Sequence, residues 1–227
     1  VSHLDIRGER GFTLIELMVA TVFGIIVSAA TLAIVISSVH LTSNDGDRVD
    51  ATQEGREAMQ RITQQLNASC VASAVAPILS TSDANDVWFY SALSDSPTVQ
   101  PDKVEISYTG GSLVMDTYAY SSGTNPTSWT FSPTATASVL LANAKQYNST
   151  PIFQYYGYGS NGVLSSTPYT LSPTLGASAA STAEVVITYQ AQPSDNWSAL
   201  GRPASFTDAV VLRLSPASGS TGNLPCS

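Results

Sequence analysis

"RGERGFTLIELMVATVFGIIVSA", residues 7–29, passes within a few positions from charged sequence into apolar sequence that holds a single carboxylate, Glu16. No charged residue follows from Leu17 to Val39, and apolar character runs from Phe12 to Leu41. As an α-helix, about 28 residues rising ~1.5 Å each would reach about 40 Å. A bilayer core is only ~30 Å thick, so segment 12–41 is expected to cross a membrane, and the rest of the chain offers no second span. A secretory signal fits less well, because the run is about twice the usual length and no small-x-small cleavage site follows it. A plain anchor fits better but leaves Glu16 unexplained. An acidic side chain at mid-membrane costs about 2.5–3.5 kcal/mol on insertion scales, less near an end, and a carboxylate kept there needs a partner.

Composition narrows the function classes. The chain has 227 residues, a formal net charge of −8 and only 11% charged residues, with lysine confined to Lys103 and Lys145. An acidic chain without a basic cluster is a poor nucleic-acid binder. Its only cysteines, Cys70 and Cys226, are too few for a disulfide-dense scaffold and lack metal-site spacing.

The string Gly11-Phe12-Thr13-Leu14-Ile15-Glu16 resembles the processing motif of type IV prepilins and type II secretion pseudopilins. The resemblance implies that a prepilin peptidase cuts between Gly11 and Phe12 and N-methylates Phe12, leaving Glu16 as the fifth mature residue. It also implies that residues 1–11 are a cytoplasmic leader; Arg7 and Arg10 suit that side of a membrane, though Arg48 follows soon after the span. In the family, the glutamate of one subunit pairs with the N-terminal amine of its neighbour during filament assembly. That pairing would relieve an isolated carboxylate in low dielectric, while a local Phe12–Glu16 pair, one turn apart in the same helix, is the alternative for the monomer. The implied partners are the prepilin peptidase, other major and minor pilins or pseudopilins, an inner-membrane assembly platform with its cytoplasmic ATPase motor, and the lipid bilayer. No cofactor and no nucleic acid are implied. The β-rich part would lie outside the cytoplasm, first as a single-pass inner-membrane protein and then in a pilus or pseudopilus.

Three further stretches, "EAMQRITQQLNAS" (57–69), "PIFQYYG" (151–157) and "TDAVVLRL" (207–214), resemble the J-type minor pseudopilins and W-type minor pilins. That subclass implies a subunit at or near the filament tip that helps assembly start. Glu16 argues against the one minor pseudopilin type that lacks this residue. Other readings are a pseudopilin that drives export, a minor pilin serving adhesion, twitching or DNA uptake, and a surface adhesion or binding module displayed on a pilin helix.

The fold class expected is α+β and pilin-like: a long N-terminal helix, membrane-spanning over 12–41 and amphipathic over 42–70, packed on an antiparallel β-sheet domain over 71–227. "SNDGDRVD" (43–50) begins a pattern of alternating acids but does not complete a calcium loop, so a solvated kink is expected there. Val49, Thr52, Arg56, Met59, Ile62 and Leu66 recur at three- and four-residue steps, which predicts a helix stripe facing a sheet. Strands are expected at 86–92, 183–191 and 206–216, and a hairpin over 103–120 around Gly110-Gly111. Residues 151–164 should form a strand, a Gly/Asn turn and a second short strand. Residues 138–146 read equally as a strand or a turn of helix. The Ser/Thr/Gly/Pro-rich stretches 121–137, 165–182 and 192–205 read as exposed loops.

Cys70 would end the helix, and Cys226 is the penultimate residue. A bridge between them would pin the tail to the helix end, closing a loop of about 156 residues and contributing about 4–5 kcal/mol in the chain-entropy model; two free thiols are the alternative. Pilins that carry a disulfide usually have both cysteines in the C-terminal half, so this placement departs from their pattern. Catalytic constellations are scarce. There is no phosphate-binding Gly loop before a helix and no Gly-x-Ser-x-Gly elbow. The histidines, His3 and His40, lie in the leader and at the edge of the span. Paired carboxylates remain at Asp83 with Asp86 and at Asp195 with Asp208, and glycosylation sequons begin at Asn67, Asn148 and Asn196. The chain reads as an enzyme's substrate rather than an enzyme, with no metal site.

Overall fold

The computed structural model describes residues 12–70, 75–92, 100–124, 128–193 and 203–212. Its first element, α1, spans Leu14–Asn67. The chain divides between Gly46 and Asp47 into two compact units, which we describe in turn.

In the first unit, α1 is apolar on every face, and none of the 27 residues Leu14–His40 is buried. The two threonine hydroxyls inside this stretch bond back to the helix: Thr21 donates to the Met18 carbonyl, and Thr31 to those of Val27 and Ser28. A hydroxyl satisfied in this way leaves no polar demand at a lipid-facing surface. By length and composition this helix can cross a membrane. The kink expected at 43–50 is not a break in secondary structure, because α1 is helical through these positions. One glycine and several short polar residues cost a helix about 1 kcal/mol or less each, and propagation from an existing helix needs no new nucleus.

In the second unit, the stripe that faces the core is Ala51, Gly55, Ala58, Met59, Ile62 and Leu66. This corrects the expected stripe at its start: Val49 is 53% exposed and Arg56 is exposed, whereas small residues one or two positions away are buried. The physical reason is close approach. A Cβ on Gly55 would fall within 3 Å of the Phe206 ring, so only a residue without a side chain lets the strands come so near.

Instead of the single sheet expected, the described residues of the β part form two four-stranded sheets and a short ribbon, all their pairings antiparallel. The first sheet contains β1 (Asp86–Ser91), β2 (Asp102–Thr109), β3 (Ser112–Tyr118) and β6 (Thr136–Leu141), in the order β1-β2-β3-β6. The ribbon pairs β4 (Tyr120–Ser122) with β5 (Thr130–Phe131). In the second sheet β9 (Thr182–Ala191) is central, flanked on one edge by β10 (Ala204–Val211). Its other edge is shared by β7 (Ala144–Lys145) and β8 (Phe153–Gly157). Only Ala142 and Asn143 separate β6 in one sheet from β7 in the other, which also settles 138–146 as strand rather than helix. The transfer is held by Ala144 N–H donating to the Gly111 carbonyl at 2.7 Å and by Gln192 N–H donating to that of Asn143 at 2.8 Å.

Alternation sets the faces. Val87 and Phe89 of β1, Val104 and Ile106 of β2, Phe153 and Tyr155 of β8, and Val185, Ile187 and Tyr189 of β9 point into a core shared with Ile62 and Leu66 of α1. The expected hairpin forms at Gly110-Gly111, with Thr109 opposite Ser112 and both glycines at positive φ (57° and 82°). That is the two-residue turn whose twist matches the strands.

The expected loops carry more structure than their composition implies. Stretch 121–137 holds β5 and the start of β6, because Phe131 and Trp129 pack against Tyr90 at ring separations of 5.2 and 5.4 Å. Stretch 165–182 includes a 3-10 helix, Gly176–Ser181, with Leu175 and Ala179 buried. Residues 151–164 give β8 and, after the turn, a single bridge between Tyr158 and Leu164 rather than a strand. Residues 194–202 and 213–227, covering most of 192–205 and the end of 206–216, lie outside the described residues.

Candidate functional site

The N-terminal end of α1 is built by its own sequence. Glu16 N–H donates to the Thr13 carbonyl at 3.0 Å and reaches the Thr13 hydroxyl at 3.4 Å, which places Thr13 as the cap of the first turn. Thr13-Leu-Ile-Glu16 has the spacing of a capping box, in which the glutamate would return a bond to the threonine N–H. That return bond is not made: the Glu16 carboxylate has no hydrogen-bond or ion-pair partner among the described residues. It sits exposed in the first turn, where the helix dipole favours negative charge. Phe12, immediately before this turn, is 79% exposed. Gly11, on the other side of the expected cut, lies outside the described residues.

The other sequence-derived candidates fall elsewhere. Cys70 is 1% exposed, and its N–H donates to the Tyr90 carbonyl of β1 at 2.7 Å. Its expected partner, Cys226, lies outside the described residues. Of the acidic pairs, Asp195 is outside the described residues, while Asp208 accepts from the Thr63 hydroxyl at 3.3 Å and from its neighbour's N–H at 2.9 Å. Of the sequons, Asn148 stands in an exposed turn and Asn67 is followed by a buried Ser69, while Asn196 lies outside the described residues. Asp45, Asp47 and Asp50 lie within α1, not in a loop.

Asp83 and Asp86 do come together. The Asp83 carboxylate accepts from the N–H groups of Asn85 (2.6 Å) and Asp86 (3.0 Å), closing the turn that leads into β1. Oδ1 of Asp86 is buried without a hydrogen-bond partner among the described residues. Burial first, and the Asp83 charge second, raise the Asp86 carboxyl from the ordinary 3.8 to about 6. The register adds groups that sequence reasoning missed. Glu105 on β2 lies opposite Trp88 on one side and Asp116 on the other, and its carboxyl is raised by burial, then by the Asp86 and Asp116 charges, with Lys103 opposing. Lys103 itself sits 4.2 Å from the centre of the Trp88 ring. Period-two alternation puts Asp86, Glu105 and Asp116 each on one face of its own strand, but only the register makes them neighbours.

Two tyrosines tie elements together. Tyr189 O–H donates to the Gly55 carbonyl of α1 at 2.7 Å, and Tyr155 O–H lies within 2.9 Å of the Asp83 carbonyl and 2.8 Å of that of Asp86. Burial pushes both phenols above their ordinary value. Comparison with protein-family models finds no match for this chain, and neither does comparison with curated proteins.

Proposed function

We propose that this chain is a minor pilin or pseudopilin, a structural subunit made as a single-pass membrane protein and drawn from the membrane into a thin filament. One observation carries the reading: a 27-residue apolar stretch of α1 without a buried residue, preceded in sequence by Gly11-Phe12-Thr13 and holding Glu16, which has no partner among the described residues, in its first turn. An unpaired carboxylate is expensive in a bilayer, and a new ammonium on a neighbour's Phe12 is the complement that peptidase cleavage after Gly11 would create. In this reading Glu16 sets register between subunits. The β-rich unit lies outside the cytoplasm, the Cys70–Cys226 bridge holds its tail, and the subunit acts at or near the tip when assembly begins. The chain carries out no catalysis; it is processed by the peptidase.

The test is to shear surface filaments from cells and quantify the protein there and in the envelope by mass spectrometry. Trace amounts starting at N-methylated Phe12, beside an abundant major subunit, are expected of a minor pilin. Mature protein confined to the envelope marks a secretion pseudopilin instead. A chain that retains residues 1–11, or a Glu16→Ala variant displayed at the unmutated level, would overturn the filament reading and leave the helix as an anchor for a binding domain.

A further inference from the structure

The first sheet carries an electrostatic conflict that the assembly reading does not use. Asp86 Oδ1 is buried with no hydrogen-bond partner among the described residues. Asp83 faces it from the turn and Glu105 from β2, and Glu105 is itself paired across β2 and β3 with Asp116, an arrangement of like charges that is unfavourable. From β8, Tyr155 presents its hydroxyl to the Asp83 and Asp86 carbonyls rather than to a carboxylate. Ser107, opposite Asp86 on β2, is uncharged. Lys103, opposite Tyr90 on β2, lies over the Trp88 ring and lowers the Glu105 carboxyl. The Asp83 backbone N–H and the Trp88 side chain favour the Asp86 carboxylate, but less strongly than burial and the Asp83 charge disfavour it.

This conflict sits on a turn that is otherwise well bonded. Asp83 N–H donates to the Asp86 carbonyl at 2.9 Å, Trp88 N–H to the Ser82 hydroxyl at 2.8 Å, and Tyr108 N–H to the Asn85 carbonyl at 2.8 Å. Opening the turn would break these bonds but would hydrate the Asp86 carboxylate. Ionisation therefore favours the open form and protonation the closed one.

We propose that the 82–88 turn is an acid-tightened clasp, held shut when Asp86 is protonated and loosened when it ionises. The sign follows from linkage. A carboxyl raised to about 6 in the folded chain binds its proton more tightly than the same group at 3.8. Its stabilisation is complete below the lower value and is lost as pH rises through the upper one. This is the reverse of the usual acid loosening of carboxylate-rich domains. A shift of about two units bounds the effect at roughly a hundredfold in the opening equilibrium; because the open form is already ionised at pH 5, only about tenfold of that falls between pH 5 and pH 7.5, and partial solvent access to a half-buried group lowers it to about a few-fold. The clasp does not depend on the filament reading.

The test is native-state hydrogen exchange on the full chain in detergent micelles at pH 5 and pH 7.5, corrected for intrinsic exchange chemistry. The amides of Asp83, Asn85, Asp86, Trp88 and Tyr108 are the reporters. Protection should be about a few-fold higher at pH 5, and at most roughly tenfold, in the unmutated chain, whereas Asp86→Asn should hold the high value at both. Equal or lower protection at pH 5, or a pH dependence that survives in Asp86→Asn, overturns the proposal. Should the variant not fold, a carbon-detected titration of the Asp86 carboxyl in the unmutated chain decides: a midpoint near 6 supports the clasp, and one near 4 overturns it.

Discussion

Gly55→Ala sets two well-measured effects against each other. In a helix interior, replacing Gly by Ala gains about 1 kcal/mol from backbone entropy. Here, however, the new methyl would lie 2.9 Å from Phe206 Cδ2 and closer still to Cζ and Cε2. The ring has little freedom to yield. Phe206 pairs with Tyr189 across β10 and β9, and the two rings lie 5.6 Å apart. Moving α1 away instead would stretch the 2.7 Å bond from Tyr189 O–H to the Gly55 carbonyl. Overpacking of this kind costs about 1–3 kcal/mol, so the single substitution should destabilise by about 1 kcal/mol net. In a Phe206→Ala background the obstacle is gone, and the same substitution should stabilise by about 1 kcal/mol. The coupling between the two sites is then about 2 kcal/mol. Denaturant unfolding of the four chains in detergent, followed by tryptophan fluorescence, measures it; Trp88 and Trp129 both lie in the β part. A stabilising Gly55→Ala with Phe206 intact, or coupling below about 0.5 kcal/mol, would refute the view that Phe206 dictates glycine at this position.

Three further outcomes are expected. Tyr189→Phe keeps the ring but removes its bond to the Gly55 carbonyl, which still accepts within the helix, so it should cost about 0.5–1.5 kcal/mol in the same unfolding assay. Gly111→Val forces a β-branched residue to φ 82° and should cost about 1–3 kcal/mol, whereas Gly110→Asn at φ 57° should be nearly neutral, since asparagine suits the first position of this turn. For the proposed bridge, thiol labelling of the denatured, unreduced chain should modify neither Cys70 nor Cys226; two modified cysteines would remove the bridge.

The helix stripe shows where sequence reading loses resolution. Met59, Ile62 and Leu66 are legible as core because they are large, apolar and correctly spaced. Towards its N-terminal end the stripe consists of Ala51, Gly55 and Ala58, which carry almost no hydrophobic signal, and Val49 beside them is a better apolar residue on the wrong face. Burial there is decided by what approaches the helix, not by what the helix offers. The short strands β4 and β5 escaped for a related reason. Their composition is that of a loop; β5 is held by Tyr90, a residue about forty positions earlier, and β4 pairs with β5.

By itself the sequence determined whatever local order can encode. It set the long apolar helix with a threonine cap and a carboxylate in its first turn, the Gly110-Gly111 hairpin, and most of the strands, because each depends on residues within about ten positions. The candidate site at Phe12 and Glu16 was legible for the same reason, both residues lying in one turn. Only the tertiary structure decided that the chain crosses between two sheets at Ala142 and Asn143 and that Gly55 must be bare beneath Phe206. It also brought Asp86, Glu105 and Asp116 together on one face. These features arise from strand register and close packing between segments far apart in sequence, and a pattern of period two or 3.6 fixes which side a residue faces without saying what stands opposite it.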